Sequence, residues 1–446
     1  MPPAKIDLAS LPPQVRMVAA ALAAANGRSW LVGGTVRDLL QGRPPRDFDI
    51  ATDLLPDAVL RALPASDGRD ARYGTCRWPD AKLPISITTL RAEAGYRDHR
   101  HPDHVVFVDT VAADARRRDF TVNAIYADLT TGALLDPVGG GADLAAARLQ
   151  TIGEPAVRFA EDPLRLLRLV RFAAKCQLQI EPATQAAAVA AATGLTTLSA
   201  ERLFGELTLA FTSFGRGRAL RLLVDLGLLA VVLPEVAAMD GVTQPPEYHP
   251  EGDVLTHVCM VLDHVPDDHA LLAWSAVLHD VGKPPTWRRA EDRIRFDGHD
   301  TLSAKMSTAI LRRLHAPNEL QEAVADVCLQ HIRFAALPGM RPVKAERWLR
   351  TPAFPLHLAF HRADCLGSHG KLDIFHFAEQ RLAALPPLVQ PLLQGKDVLA
   401  LGIAPGPEVG DLLRLANDAI DESPTPMDRA AALVLLRDLA KRRHQG

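Results

Sequence analysis

The chain has 446 residues, of which 48% are hydrophobic, and a formal net charge of −3. That length favours two to four domains, and the apolar content is ample for packed cores, which excludes a disordered protein. The near-neutral charge does not advertise a nucleic-acid binder, although a local basic groove would suffice for one. No long uninterrupted apolar run occurs, and the opening MPPAKIDLAS lacks the basic-then-apolar layout of a secretion signal, so a cytoplasmic protein with no membrane partner is expected. Cys76, Cys176, Cys259, Cys328 and Cys365 are far apart and form no CxxC, which argues against a disulfide framework and against a zinc ribbon.

In chain order, Ser10 is placed to cap a helix reaching Asn26, with Gly27 as its stop. The next stretch, WLVGGTVRDLLQGRPPRDFDIAT from Trp30 to Thr52, reads as an apolar run ending at Gly33-Gly34, a helix from Thr35 to Gln41, and a strand carrying Asp47 and Asp49. Side chains alternate across a strand, so carboxylates at i and i+2 share a face and can hold a pair of magnesium ions, which take oxygen ligands and share them with substrate phosphates. Paired glycines let the backbone approach a phosphate, and the N–H groups of the following helix start can cradle it. These parts together make a nucleotidyl-transfer site. Leu54 to Leu63 then reads as a helix, and Gly74 to Trp78 and Pro84 to Arg91 as strands, the latter favoured by Thr88 and Thr89. The interleaving suggests an α+β domain ending near residue 155, after which helical periodicity dominates and no convincing strand is found.

Residues 116–124, RRRDFTVNA, set three arginines beside an aspartate and an asparagine. Arg117 and Arg118 suit phosphate, while Asp119 and Asn123 suit fixing the loop or touching a ribose. In RFAEDPLRLLRLVRFAAK, residues 158–175, Arg165, Arg168, Arg171 and Lys175 drift along one helical face while Leu166, Leu169, Val170 and Ala173 line another. Asp162 and Arg165 are three apart, an acceptor and a forked donor able to pair with the edge of a base; a plain i,i+3 salt bridge is the competing account.

GGTVRD followed by DFDIAT, then RRRDFTVNA, LLDPVGGGADL, EDPLR and SAERLFGEL, resembles the class II tRNA nucleotidyltransferase and bacterial poly(A) polymerase family, and the resemblance runs along nearly the whole chain. It implies Asp47 and Asp49 as catalytic Mg2+ ligands, and Gly33, Gly34, Arg37, Arg118, Asp119, Asn123, Arg168 and Arg171 as nucleotide-binding residues. It further implies Asp162 and Arg165 as base readers, Glu201 and Arg202 as braces for their helix, and tRNA, CTP and ATP as partners. One position departs from the pattern: Ser86 stands where the family usually has a third acid, so either the two aspartates suffice or a nearby acid such as Asp80 substitutes.

From Asp240 onward the chain becomes histidine-rich. His257, His279-Asp280, His299, His331 and Asp364 come in an order that resembles the HD phosphohydrolase superfamily, and this implies a second divalent metal, with His257, His279, Asp280 and Asp364 as the principal ligands. His279 and Asp280 are neighbours, so both can be ligands only near a helix end or at one metal edge. Some members of that superfamily are active phosphatases or cyclic phosphodiesterases and others retain only the fold.

The expected architecture is an α+β nucleotidyltransferase head with a small mixed sheet, residues 1–155, followed by an elongated all-α body. The body divides into a neck at 156–238, an HD-type helical domain at 239–385 and a C-terminal tail at 386–446 whose basic end, Lys441, Arg442 and Arg443, suits tRNA contact. The expected activity is template-independent addition or repair of the 3′-terminal CCA of tRNA with release of pyrophosphate. The alternatives are a poly(A) polymerase, an enzyme adding only CC or only A, and, from another class, a hydrolase working at the histidine cluster.

Overall fold

A computed structural model describes residues 5–80, 82–94, 104–245, 249–291, 293–385, 392–423 and 425–444. The first helix, α1, spans Pro13–Ala24 rather than starting at Ser10, because Ser10 closes a short 3-10 turn and two prolines fix the helix entry. The head is then built from β1 (Ser29–Val32), α2 (Gly34–Leu40), β2 (Phe48–Thr52), α3 (Pro56–Ala62), β3 (Thr75–Trp78), β4 (Ile85–Thr89), β5 (Arg91–Ala94), β6 (His104–Phe107), α4 (Val111–Arg117), β7 (Tyr126–Asp128) and β8 (Leu134–Leu135). Six of the strands form one sheet in the order β3-β4-β2-β1-β7-β8. The β2–β4 pair is parallel and its other pairs are antiparallel, so the sheet is mixed, as expected.

Alternation along the strands sorts the two faces. Leu31, Ile50, Ile87 and Ala127 pack with Val15, Val18 and Leu22 of α1 in one apolar core. On the opposite face Trp30, Val32, Ala51 and Tyr126 form a second cluster beside Asp49, which lies between Val32 and Ser86 in register. Asp47 precedes β2 by one residue, so only Asp49 of the pair lies within the strand.

After α5 (Gly140–Ala145) and β9 (Arg148–Leu149), the segment read as one helix over 158–175 divides into α6 (Pro155–Glu161) and α7 (Leu164–Lys175). The break falls at Asp162, whose extended backbone (φ −144°, ψ 100°) is what the following Pro163 demands. Leu166, Leu169, Val170 and Ala173 are fully buried, as the periodicity predicts. The strands missed beyond residue 155 are β10 (Gln179–Ile180), parallel to β9, and the two-residue pair β11 (Arg288–Arg289) and β12 (Ile294–Arg295). Segments so short carry no periodicity to read.

The helices continue with α8 (Pro182–Ala190), α9 (Ala200–Thr212), α10 (Arg216–Asp225), α11 (Leu229–Val232), α12 (Pro234–Ala237), α13 (Val254–His264), α14 (Ala270–Leu278), α15 (Lys283–Thr286), α16 (His299–Arg313) and α17 (Asn318–Gln330). Trp274 on α14 is fully buried against α9, stacked on Phe204, edge-on to Phe211 and donating its indole N–H to Thr208 at 2.9 Å. By compactness the chain forms two units: residues 1–331 with 363–370, and residues 332–362 with 371–446. The second unit has one core around Phe334, Trp348 and Phe354 and another around Val398, Leu412, Ala432 and Leu436. No helix among the described residues is long and apolar enough to cross a membrane.

Candidate active site and histidine cluster

The second face of the head sheet opens into a cleft of about 630 Å³. Its sheet side holds Asp49 and Asp47, its glycine turn Gly33 and Gly34, and its far wall the cationic face of α7. Gly33 has φ +72°, and a Cβ there would stand 3.2 Å from Asp49 Oδ2, so the turn needs glycine for both conformation and room. Sequence reasoning assigned no role to Thr35, yet this fully buried residue ties the backbone of both aspartates: its hydroxyl accepts the Asp49 N–H at 3.0 Å and donates to the Asp47 carbonyl at 3.2 Å. Burial pushes the Asp49 carboxyl up to about 6; the Asp47 carboxylate adds to the shift, and Arg118 and Arg168 oppose it. Two mutually repelling acids, Asp47 exposed at the cleft edge and Asp49 partly buried beside it, are a donor set suited to divalent cations.

Every other residue expected at the nucleotide site also lines this cleft, and the hydrogen bonds show how each is held. Arg37 is buried and gives Nε and Nη2 to Asp38 Oδ1 and Nη1 to Asn123 Oδ1. Asn123 donates in turn to Asp119 Oδ1 at 3.0 Å, and Arg168 grips Asp119 Oδ2 through Nε and Nη2 at 2.8 and 2.6 Å. Against the cost of burial, Arg168 and Asn123 hold the Asp119 carboxyl well below the usual carboxylate range. The result is a continuous chain from α2 to α7. Arg118 is anchored by Asp114 and by the Tyr126 hydroxyl, which itself donates to Asp114 at 2.6 Å. Arg171 pairs with Glu206, and Arg37, Arg168 and Arg171 all sit over the Phe172 ring.

Asp162 and Arg165 are near one another but not as an i,i+3 pair on one helix. Arg202 Nη2 reaches both Asp162 oxygens, at 2.9 and 3.1 Å, and Asp162 Oδ1 also caps α7 through the Leu164 N–H. Arg165 Nη1 donates to Glu161 at 2.7 Å and to the Arg158 carbonyl at 2.8 Å. Of the two expected braces, Arg202 contacts Asp162, whereas Glu201 accepts from His315 at the surface.

Ser86 is the register neighbour of Asp49 on β4, so the position usually acidic is indeed beside the aspartates. Asp80 does not replace it: its carboxylate caps its own loop through the Lys82 and Leu83 N–H groups. The additional acid lining the cleft is Asp70, paired with Arg77 at 3.1 Å, and Arg77 is the register neighbour of Ser86 on β3.

The histidine cluster is assembled from α13, the end of α14, the start of α16, the end of α17 and Asp364 in the helix α19 that follows α18 (Pro342–Leu349) and spans Phe354–Leu366. Helix α14 stops at Leu278, so His279 and Asp280 turn inward from a helix end. His279, His299 and His331 each place Nδ1 against a backbone carbonyl, of Ala276, Phe296 and Cys328, at 2.9, 2.8 and 2.6 Å. A carbonyl accepts only from N–H, so their Nε2 lone pairs face inward. His257 Nε2 lies 3.2 Å from His279 Nε2 and 3.1 Å from Asp364 Oδ1, and His299 Nε2 lies 3.3 Å from His331 Nε2. The His299 and His331 lone pairs so placed repel unless a cation lies between them, whereas a proton on His257 Nε2 would be shared with Asp364 or His279. Three groups of three potential ligands result among the described residues: His257, His279 and Asp364; Asp280, His299 and His331; and His249, Glu251 and His257, which shares His257 with the first. Asp280 links the first two, Oδ2 being 3.2 Å from His279 Nε2 and Oδ1 3.5 Å from His299 Nε2. Burial lowers His331 to about 3, whereas Asp364 and Glu251 outweigh burial and lift His257 to about 9, so that corner attracts positive charge. Lys283, Glu251 and His249 belong to this cluster and escaped the sequence reading; Lys283 Nζ holds Asp280 Oδ2 at 2.7 Å.

A mixed sheet bearing a glycine turn, an aspartate pair and a wall of anchored arginines defines a nucleotidyltransferase head, here joined to an HD-type helical array. Residues 29–150 match the Poly A polymerase head domain, residues 177–239 the probable RNA and SrmB-binding site of polymerase A, and residues 252–364 the HD domain. The chain is 36% identical to the A-adding tRNA nucleotidyltransferase of Deinococcus radiodurans over 90% of its own length and 94% of that protein's. It is 34% identical to the multifunctional CCA protein of Laribacter hongkongensis, over 72% of its length and 79% of the relative's. The crystal structure of the Bacillus stearothermophilus CCA-adding enzyme in complex with CTP shares its fold, with a TM-score of 0.71 at 23% identity, covering 98% of this chain and all of that one. The chain belongs to the tRNA nucleotidyltransferase and poly(A) polymerase family.

Proposed function

We propose that the protein builds or repairs the CCA end of tRNA from CTP and ATP, without a template. The observation that carries this reading is the convergence, in one cleft, of the Gly33-Gly34 turn, the Asp47 and Asp49 carboxylates and the arginine face of α7. Asp47 and Asp49 would hold Mg2+, which supplies activation of the attacking 3′-hydroxyl and neutralises charge on the transferring phosphate. The Gly33-Gly34 backbone and Arg118 bind the triphosphate, and Arg118 arrives already oriented by Asp114 and Tyr126. Arg37, Asn123, Asp119 and Arg168 act as a linked chain that keeps the phosphate-binding wall at a fixed distance from α7. Asp162 and Arg165 face the base, so each must trade part of its present pairing, with Arg202 and with Glu161, for the base edge.

The test offers the purified protein and Mg2+ a tRNA lacking CCA, one ending in C and one ending in CC, each with labelled CTP, ATP or both. Addition of C, C and A followed by arrest supports the reading. Addition of A alone, as the name of the Deinococcus relative states for that protein, would place the chain in a partial-adding subclass, and unlimited A-tailing would make it a poly(A) polymerase. The absence of incorporation from every tRNA overturns the proposal.

The histidine cluster favours a second reading. His257, His279, Asp280 and Asp364, with His299 and His331, would hold divalent metal, which supplies Lewis-acid chemistry for phosphoester hydrolysis. Metal analysis after exposure of the stripped protein to Ni2+, Mn2+ or Co2+ is expected to find bound metal that His279→Ala loses, with nucleotide addition unchanged.

A further inference from the structure

Three histidines of the cluster orient through backbone carbonyls; His257 does not. Its Nδ1 lies 2.9 Å from Glu251 Oε1, and the same oxygen lies 2.8 Å from His249 Nδ1. The Glu251 side chain is only 3% exposed, its Oε2 has no hydrogen-bond partner among the described residues, and neither of these two contacts is to a lysine or arginine. Burying a carboxylate in this way is costly unless its hydrogen bonds are worth the desolvation. His249 Nδ1 is hydrogen-bonded to that oxygen, while His257 Nδ1 approaches it at ion-pair distance without the alignment of a full hydrogen bond and turns its opposite nitrogen to Asp364 and His279.

We propose that Glu251 is a positioning residue of the histidine cluster. It fixes His257 as the tautomer that carries its proton on Nδ1, aims Nε2 at the metal position and strengthens that nitrogen as a donor. His249 holds the carboxylate from the other side, its ring packed edge-on to His257 at 4.9 Å between centroids, so the loop entering α13 is tied to the cluster through one oxygen atom. The inference rests on the metal reading of the cluster given above.

The experiment titrates Co2+ into metal-stripped full-length protein and follows calorimetric heat and the visible absorption of the bound ion. Glu251→Ala is expected to weaken the site containing His257 by about 10- to 100-fold and to change its absorption envelope, as loss of an orienting carboxylate does. Glu251→Gln, whose amide oxygen still accepts from Nδ1, is expected to recover most of the affinity. Equal affinity and an identical spectrum in Glu251→Ala and the wild type overturn the role of Glu251 while leaving the metal reading intact. A wild type that binds no cobalt overturns the metal reading and the inference with it. Should Glu251→Ala fail to fold, Glu251→Asp withdraws the carboxylate by one methylene; a loss near tenfold supports the proposal, and unchanged binding overturns it.

Discussion

Removing the Thr35 hydroxyl tests how the aspartates are held. Thr35→Val keeps the shape of a fully buried side chain but abolishes two hydrogen bonds, the one received from Asp49 N–H and the one given to the Asp47 carbonyl. Each such bond contributes about 0.5–1.5 kcal/mol, and stranding the Asp49 N–H costs about 1–3 kcal/mol, so a stability loss of roughly 1–3 kcal/mol is expected. For a unit of this size, with an unfolding entropy of about 2.1 cal/mol/K per residue, that lowers the melting temperature by about 1–2 °C per kcal/mol. The catalytic effect should be larger than the stability effect suggests, because a displacement of about 1 Å in a reacting group costs about 100-fold in rate. The assay is single-turnover addition of ATP or CTP to tRNA, with calorimetric melting alongside. The expected result is kcat lowered about 10- to 100-fold, a nearly unchanged KM for nucleotide, and recovery in Thr35→Ser. A wild-type kcat in Thr35→Val, or a Thr35→Ser no better than Thr35→Val, would refute the argument that this hydroxyl sets the carboxylates.

Arg202→Ala frees the Asp162 carboxylate from its bidentate partner. Hydrogen bonds to charged groups contribute about 1.5–3 kcal/mol, so kcat/KM for the correct nucleotide should fall about 10- to 100-fold, with discrimination between ATP and CTP reduced and tRNA affinity unchanged; competition kinetics with both nucleotides reads this out. Phe172→Ala removes the largely buried ring beneath Arg37, Arg168 and Arg171, and should cost about 3–5 kcal/mol in denaturant unfolding. Asp119 has its carboxyl depressed in the folded state, so its stabilisation is present above the unfolded carboxylate value of about 4 and is lost as pH falls through the lower folded value. Asp119→Asn should therefore reduce stability at neutral pH and flatten the fall in melting temperature below about pH 4, as acid titration monitored by circular dichroism would show.

The parts of the site that were legible in the sequence are those whose meaning lies in short spacing. Gly33-Gly34, the Asp47 and Asp49 pair and the arginines of α7 announce their chemistry within a few residues, and the structure brings them to one cleft. What escaped notice depends on distant partners. Thr35 looks like an ordinary helix-start residue until β2 packs against it, and Asp114 looks like a solvated acid until Tyr126 and two arginines close on it. Glu251 becomes informative only when the helix that follows places His257 against the cluster. The break at Asp162 follows from Pro163, although the arginine spacing on both sides has the period of one continuous helix. The two-residue ladders at β9 with β10 and at β11 with β12 were not readable, since pairing between segments that short is decided by the packing around them.

The most direct test of the central claim is incorporation of labelled CTP and ATP into a tRNA lacking CCA by the wild type and by Asp49→Asn, with tRNA binding measured on the same preparations. The account predicts that the wild type extends the tRNA and that Asp49→Asn binds it comparably yet adds no nucleotide. Extension by Asp49→Asn at the wild-type rate would contradict the assignment of the aspartate pair as the centre of nucleotidyl transfer.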